Sequence, residues 1–497
     1  MKNIYKAILI LLIASVLGSC SMMGMMNRSE PTSEKRQRKE VDINQFSILP
    51  IDDTFYTRPQ IEGDKITYNI VAQKTKQEVS SGIKLNLYSY NGTVPGQEIR
   101  VKVGQQVEVN LKNELDQPVT IHWHGYPVPV DMDGVPGVTQ NAVKPGESFQ
   151  YSFTATVPGT YWYHSHYKSA EQVDLGLYGA LIVEGDRQTE LDRDYTFILD
   201  EMNSKGKAGP KGMMGSSNDD LFTVNGKSGD LISAYEIQTG ENVRLRFINA
   251  GYITHYMNLG SIEYRVVAVD GQAVMDPQII QNKLLPVGPG ERYDVEFTAP
   301  DSSFFIREMI NTPAADGLII PLINRTSKKT LDETEYDGIF TLIGSGIATE
   351  YASLASNKYD QEYKMVLSHG MKGMGMIYTI NGRTYPDIDP LDVKRGDIIK
   401  VTLESKDMMF DHPMHLHGHF FQVLSKDGSP VEDGAIFKDT LVVKPGEKYE
   451  LAFIANNPGE WMFHCHDLNH ASSGMMTSVL YDGYAIPSHI DQSQPSE

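Results

Sequence analysis

The chain has 497 residues, a formal net charge of −20 at pH 7 and only two cysteines. This length allows about three domains of ordinary size. The negative charge disfavours binding to nucleic acid, because the phosphate backbone repels an acidic protein. Two cysteines exclude a framework of several disulfides. The composition therefore indicates a folded, multi-domain protein that does not bind nucleic acid.

The first 19 residues have the pattern of a secretory signal peptide. Lys2 and Lys6 precede the apolar run 7–14, and the segment Leu17-Gly-Ser-Cys20 is similar to the cleavage motif of bacterial lipoproteins. We expect cleavage before Cys20, a lipid on its thiol, and a solvated tether over residues 20–45. The expected location is extracytoplasmic, with the protein anchored by lipid to a bacterial membrane. The alternative is an ordinary signal peptide that takes Cys20 with it.

Two short motifs occur three times along the rest of the chain. An Asn-Gly pair opens each copy and a Pro-Gly-Glu triplet comes near its end, at residues 91 and 145, 225 and 289, and 381 and 445. The segments that follow alternate apolar and polar residues between turns, which predicts antiparallel strands with one buried face. Threefold repetition of such strands predicts an all-β protein of three consecutive Greek-key β-sandwich domains. Their predicted bounds are residues 46–188, 189–345 and 346–497.

Ten of the 14 histidines fall in four short clusters. They are His122 and His124, His164 and His166, His412, His415 and His417, and His464, His466 and His470. Residues i and i+2 of a strand share one face, so each His-x-His pair can direct two imidazoles to one metal centre. A single histidine is more often a surface or satisfied core residue. That interpretation is kept for the other four, which are His255, His369, His419 and His489.

The triplet His464-Cys465-His466 indicates copper. A thiolate, imidazoles and a weak thioether from Met475 suit a copper ion that alternates between Cu(I) and Cu(II). On a strand, Cys465 points away from the face that its two neighbours share. One residue would then join an electron-accepting site to a second metal centre. The second repeat has no such ligands at residues 304–307, where its metal strand should lie, and is predicted to act as a spacer.

The four clusters, in this order, resemble the motifs of the multicopper oxidases, the family of laccases, bacterial cuprous oxidases and ferroxidases. The resemblance implies domains of the cupredoxin type and four copper ions. It implies a type 1 copper at His412, Cys465, His470 and Met475, and a type 2 copper at His122 and His415. The implied ligands of a type 3 copper pair are His124, His164, His166, His417, His464 and His466. The implied reaction couples one-electron oxidation of a small donor to four-electron reduction of dioxygen to water.

Proton supply to the oxygen site is expected from carboxylates. By resemblance, Asp133 would act as a proton relay, and its alternative role is to form an Asp-Gly turn. Many bacterial family members carry a glutamate where this chain has Ala471, which leaves the second carboxylate undecided. Asp467 is the candidate replacement, and the alternative is a proton relay that runs by a different route.

The sequence says least about the identity of the electron donor. Met371, Met374 and Met376 lie among glycines and offer thioethers to Cu(I), although methionine also fills cores and loops. Cu(I), in copper tolerance, and a phenol are the two predicted donors, and the imidazole edges of His412 and His470 are where electrons would enter. We expect a monomer. The alternatives are a copper-storage protein without turnover and an enzyme similar to copper nitrite reductase, which lacks a type 3 pair.

Overall fold

The computed structural model describes residue 31 and residues 59–185, 191–206, 219–331, 335–343, 348–349, 352–355, 358–373, 375–431 and 434–497. The predicted signal peptide, Cys20 and Met374 lie outside these residues, as does the predicted tether except for residue 31. Within the described ranges, no helix combines the length and the apolar character that a membrane crossing requires.

The first domain contains two sheets. Its strands are β1 Gln60–Glu62, β2 Lys65–Ser80, β3 Ile83–Tyr90, β4 Gly96–Lys102, β5 Gln106–Asn113, β6 His122–His124, β7 Ser148–Thr154, β8 Gly159–His164 and β9 Tyr178–Glu184. One sheet has the order β1-β2-β5-β7, with β3 also paired to β2, and the other has the order β4-β9-β8-β6. Short helical turns occur at Val130–Met132 and Ser169–Gln172.

The second domain is built in the same way. Its strands are β10 Arg193–Met202, β11 Leu221–Val224, β12 Tyr235–Ile237, β13 Asn242–Asn249, β14 His255–Asn258, β15 Tyr264–Val269, β16 Gln272–Met275, β17 Ile279–Ile280, β18 Leu284–Val287, β19 Arg292–Thr298, β20 Ser303–Glu308, β21 Ile319–Asn324, β22 Thr330–Leu331 and β23 Ala348–Thr349. One sheet follows β11-β10-β13-β19-β15-β16-β23 with β17 on β15, and the other follows β12-β21-β20-β14-β18 with β22 on β20. Short 3-10 turns lie at Gly229–Leu231 and Pro313–Gly317.

The third domain completes the series. Its strands are β24 Gln361–Lys372, β25 Gly375–Ile380, β26 Leu391–Val393, β27 Ile398–Ser405, β28 His412–Leu416, β29 Phe421–Lys426, β30 Ser429–Pro430, β31 Ile436–Lys438, β32 Thr440–Val443, β33 Lys448–Ile454, β34 Glu460–Cys465 and β35 Met476–Tyr481. One sheet has the order β25-β24-β27-β33-β29-β30, with β31 on β29, and the other has the order β26-β35-β34-β28-β32. A short helix, Leu468–Ser472, follows β34.

All three domains share one connectivity. The runs β2-β5-β7, β10-β13-β19 and β24-β27-β33 each combine a parallel pair with an antiparallel pair. The facing sheets repeat the runs β9-β8-β6, β21-β20-β14 and β35-β34-β28. The prediction of three consecutive cupredoxin-like β-sandwich domains is therefore confirmed. The same comparison makes β6, β14 and β28 equivalent strands, and likewise β8, β20 and β34.

Alternating side chains explain why these segments form sandwiches. On β27, Ile399, Val401 and Leu403 are buried, while the residues between them are partly exposed. Burial of each such side chain stabilises the fold by about 1.5–3 kcal/mol. Strands β8 and β34 are instead buried almost throughout. They lie where the first and third domains meet, since Trp162 on β8 packs on His466, with 5.4 Å between ring centroids.

The equivalent strands of the middle domain hold an ion cluster. His255 on β14 is buried and lies 2.7 Å from both Glu201 and Glu308. Burial alone would lower the pKa of His255, but hydrogen bonds to the two carboxylates raise it to about 10. His255 pairs with Val287 as His412 pairs with Val443, so this protonated imidazole has the position on β14 that His412 has on β28.

Candidate metal centre

A thiol and two imidazoles converge at the end of β34. Cys465 Sγ lies 3.6 Å from His470 Nδ1 and 3.9 Å from His412 Nδ1. Pairing of β28 with β34 brings His412 to this position, and the helix Leu468–Ser472 carries His470. The backbone N–H of Cys465 donates to the carbonyl of buried Met475 at 3.1 Å. We call these four residues the thiol site.

The thiol site suits a soft cation. Burial raises the pKa of the Cys465 thiol well above its usual range, because no solvent is present to stabilise a thiolate. The donor atoms of Cys465, His412 and His470 lie within 4.8 Å of one another. A copper ion fits this set, since it stabilises the thiolate and accepts two imidazoles.

The eight remaining predicted ligands surround one buried space between β6, β8, β28 and β34. We call this set the histidine cluster; its members are His122, His124, His164, His166, His415, His417, His464 and His466. Cross-strand pairing brings His122 opposite His164 and His415 opposite His464. Their donor atoms form three groups, which are His124, His164 and His466; His166, His417 and His464; and His122, His124 and His415, so that His124 belongs to two of them.

Backbone carbonyls fix the protonation of several rings. His122 Nδ1 lies 2.8 Å from the carbonyl of Asp133, and His415 Nδ1 lies 3.0 Å from the carbonyl of Asp439. A carbonyl can only accept, so each Nδ1 carries the proton and each Nε2 presents a lone pair. His164 and His464 are held in the same way by the carbonyls of Ser165 and Cys465.

Several of the Nε2 lone pairs have no hydrogen-bond donor near them. The Nε2 atoms of His122, His164, His166 and His415 are buried without a hydrogen-bond partner. Burial and neighbouring imidazoles hold the pKa of most cluster histidines well below the usual value, so they are neutral. Buried polar atoms without partners are rare in native proteins. Neutral imidazoles around one space fit copper, which would satisfy them together.

Asp133 lies against two rings of the histidine cluster, on the side of their Nδ1 atoms. One carboxylate oxygen is 3.1 Å from His122 Nδ1, and the other accepts from His417 Nδ1 at 3.0 Å. The side chain is buried, and the following Gly134 has φ of 82°, so the residue also begins a turn. The other candidate carboxylate, Asp467, lies elsewhere, since it is 3.2 Å from His470 Nε2 at the thiol site.

Glu497 is a carboxylate that the sequence reasoning missed. It is buried, and its Oε1 lies 3.2 Å from His166 Nε2 and 3.5 Å from His464 Nδ1. The carbonyl of Ser496 accepts from His166 Nδ1 at 2.6 Å. Glu497 and Ala471 both line a cavity of about 400 Å³. No motif marks this segment, so only the fold could bring it to the histidine cluster.

His369 is a second residue that the sequence did not single out. Its Nδ1 is 2.8 Å from Asp407 Oδ2, and the same oxygen is 3.2 Å from His412 Nε2. The ring of Tyr378 stacks on His470, with 3.7 Å between centroids. His412 and His470 are themselves buried, whereas 27% of the His369 side chain is exposed. The imidazole edges predicted to receive electrons are therefore covered by these neighbours.

Comparison with known proteins decides the family. Models of the multicopper oxidase family match residues 71–188, 194–324 and 357–483. The chain belongs to the multicopper oxidase family. As such, it is an oxidase that uses oxygen as the electron acceptor.

Individual relatives agree along almost the whole chain. Multicopper oxidase MmcO of Mycobacterium tuberculosis is 28% identical over 468 residues, covering 87% of this chain and 90% of the relative. Multicopper oxidase mco of Staphylococcus aureus is 29% identical, covering 83% and 88%. The crystal structure of a multi-copper oxidase from Pseudomonas thermotolerans superposes with a TM-score of 0.68 at 29% identity, covering 84% of this chain and 99% of the other.

Substitution of Asp133 tests its role in this multicopper oxidase. We expect Asp133→Ala to stay blue but to reduce dioxygen about 10²-fold more slowly, as loss of a positioned proton donor does. The measurement is oxygen uptake together with the visible spectrum. Asp131→Ala is the matched control, because Asp131 is exposed in the same segment. Turnover equal to the control would show that Asp133 only forms the turn.

Proposed function

We propose that this multicopper oxidase holds four copper ions and couples one-electron oxidation of a small donor to four-electron reduction of dioxygen to water. The thiol site would hold the type 1 copper, and the histidine cluster would hold the type 2 copper and the type 3 pair. The observation that carries the proposal is the position of Cys465. Its sulfur belongs to the thiol site, while His464 and His466 on either side belong to the histidine cluster.

Bound copper would supply the one-electron steps. The protein provides the path by which electrons move from the thiol site to the histidine cluster. Cys465 links the two sites through a single residue of β34. A hydrogen bond of 3.0 Å from His464 Nδ1 to the carbonyl of Cys465 adds a second connection. Burial of both sites keeps bulk water away from them. Electrons received at the thiol site therefore have a short route to the place where dioxygen would be reduced.

We propose Cu(I) as the donor, in the context of copper tolerance. The hairpin β24–β25 pairs Met371 with Met376 and His369 with Tyr378. Paired residues, and residues two apart, share one face of a hairpin. Since His369 and Tyr378 contact the thiol site through Asp407 and His470, the two thioethers share the face that covers it. Thioethers are soft ligands that prefer Cu(I).

Exposure around the hairpin supports the same donor. Met371 is 56% exposed and Met408, beside Asp407, is 74% exposed. Large exposed apolar side chains at a functional surface indicate a binding role. Asp407 would attract a cation and lies between His369 and His412. We therefore propose that electrons pass from Cu(I) at this surface through Asp407 to His412.

The first experiment tests the copper assignment itself. Copper analysis and a visible spectrum of the full chain should give four copper ions and a blue protein. Cys465→Ser should lose both the blue colour and the oxidase activity, because the colour requires a copper–thiolate bond. A variant that remains blue and active would contradict the assignment. A blue wild type that consumes no oxygen with any donor would favour the storage alternative.

The second experiment identifies the donor. Replacing Met371, Met374 and Met376 together by leucine preserves apolar bulk and removes the thioethers. We expect oxidation of Cu(I) to fall, whereas oxidation of a phenol stays level or rises. Met275→Leu is the control, since Met275 is 47% exposed on the middle domain, away from the hairpin. A fall in both activities would make the segment structural, and no change in either would favour the laccase-like donor.

We further propose that the protein is exported and anchored to a bacterial membrane through lipid on Cys20. One acyl chain binds a membrane only marginally, so lasting attachment requires two or more. Cys20→Ser protein should appear in the soluble extracytoplasmic fraction, while wild type fractionates with membranes. Fully soluble wild type would rule the anchor out. A monomer is proposed as well, because one chain supplies every predicted ligand.

A further inference from the structure

We propose that the middle domain orients His415, a ligand of the proposed type 2 copper, through Arg292, which acts as a positioning residue. The inference rests on the proposed function, because it takes His122 and His415 as the ligands of that copper. It assigns a role in the oxygen site to the domain that supplies none of the predicted ligands.

Arg292 connects all three domains. It begins β19 and is completely buried. Its two terminal nitrogens donate to the two carboxylate oxygens of Asp439, in the third domain, at 2.7 and 2.6 Å. Its Nε donates to the carbonyl of Thr160, in the first domain, at 3.1 Å. A guanidinium that binds a carboxylate through two parallel hydrogen bonds fixes the position and the plane of that carboxylate.

Asp439, once fixed by Arg292, in turn fixes the orientation of His415, a ligand of the proposed type 2 copper. Its carbonyl accepts from His415 Nδ1 at 3.0 Å, which sets the tautomer and the ring orientation of His415. Its Oδ1 also accepts from the hydroxyl of Thr440 at 2.8 Å. That hydroxyl oxygen lies 3.1 Å from both His415 Nδ1 and His124 Nε2. Arg292 thus holds the residue pair that faces two neighbouring imidazoles.

The middle domain also touches the cluster directly. Gly290, two residues before Arg292, has φ of 79° in the turn that precedes β19. A Cβ atom at this position would lie 3.0 Å from both His124 Cε1 and His466 Cγ. Only glycine allows this turn to approach the two rings so closely. Through this turn and Arg292, the middle domain packs against one side of the histidine cluster.

Arg246 is a nearby buried arginine whose contacts are purely structural. It lies on β13, paired with β19, and is likewise buried. Arg246 binds Asp194 and Asp294 and donates to the Thr160 hydroxyl at 2.7 Å. None of these partners contacts a predicted copper ligand among the described residues. Arg246 therefore offers a control of the same charge and similar burial that joins the middle domain to the first domain only.

The test compares Arg292→Met with Arg246→Met in the full chain. Both variants should melt at a lower temperature than wild type, because each leaves buried carboxylates without their partner. Only Arg292→Met should alter or lose the electron paramagnetic resonance signal of the type 2 copper, while the blue band remains. Rebinding of Cu(II) to the type 2 site of metal-depleted Arg292→Met should weaken about 10- to 100-fold, as for other residues that orient metal ligands. Arg292→Lys, which keeps the charge, should recover part of the affinity.

A second variant keeps the test decisive if Arg292→Met does not fold. Asp439→Asn retains the size of the side chain and the backbone carbonyl but weakens the pairing with Arg292, and it should change the same signal. Equal copper loss in the Arg292 and Arg246 variants, or an unchanged type 2 signal in both Arg292→Met and Asp439→Asn, would overturn the inference. A wild-type protein without type 2 and type 3 copper would instead overturn the proposed function.

Discussion

The structure depends on buried imidazoles that face one another without donors between them. His417 Nε2 and His464 Nε2 lie 3.0 Å apart, although both rings have their Nδ1 atoms turned to oxygen acceptors. Such an arrangement is unfavourable unless a shared cation occupies the space, since neutral lone pairs repel. Both rings belong to the third domain, and His166 of the first domain completes their group, with all donor atoms within 4.8 Å. The binding of metal and the contact between those domains are therefore one interaction.

Strand β34 separates the thiol site from the histidine cluster by the geometry of a strand alone. Successive side chains point to opposite faces, so Cys465 faces the hairpin β24–β25 and its neighbours face the interface with the first domain. The side of the thiol site carries thioethers, aromatic rings and Asp407. The side of the histidine cluster carries imidazoles, Asp133 and Glu497. Strand β28 divides its side chains in the same way, with His412 at the thiol site and His415 in the histidine cluster.

Sequence patterns were sufficient for everything that is local. Alternating residues predicted the sandwiches, and the His-x-His pairs predicted which side chains converge. Contacts between distant segments leave no such pattern. Arg292 and Asp439 are 147 residues apart, and neither Glu497 nor His369 belongs to a motif. Asp467, the candidate for the second carboxylate, lies instead beside His470, because the turn into the following helix directs it there. The spacer interpretation of the middle domain explained its missing ligands but not its contacts.

The ion cluster of the middle domain has a consequence for maturation. The carboxylates of Glu201 and Glu308 are bound by His255 and by backbone N–H groups of the same domain, so this domain can complete its core before any metal arrives. The first and third domains cannot do so at their shared face. A newly made chain would then contain one domain whose core needs no metal, against which the other two settle. Copper loading would close the assembly, and the middle domain would serve as its template.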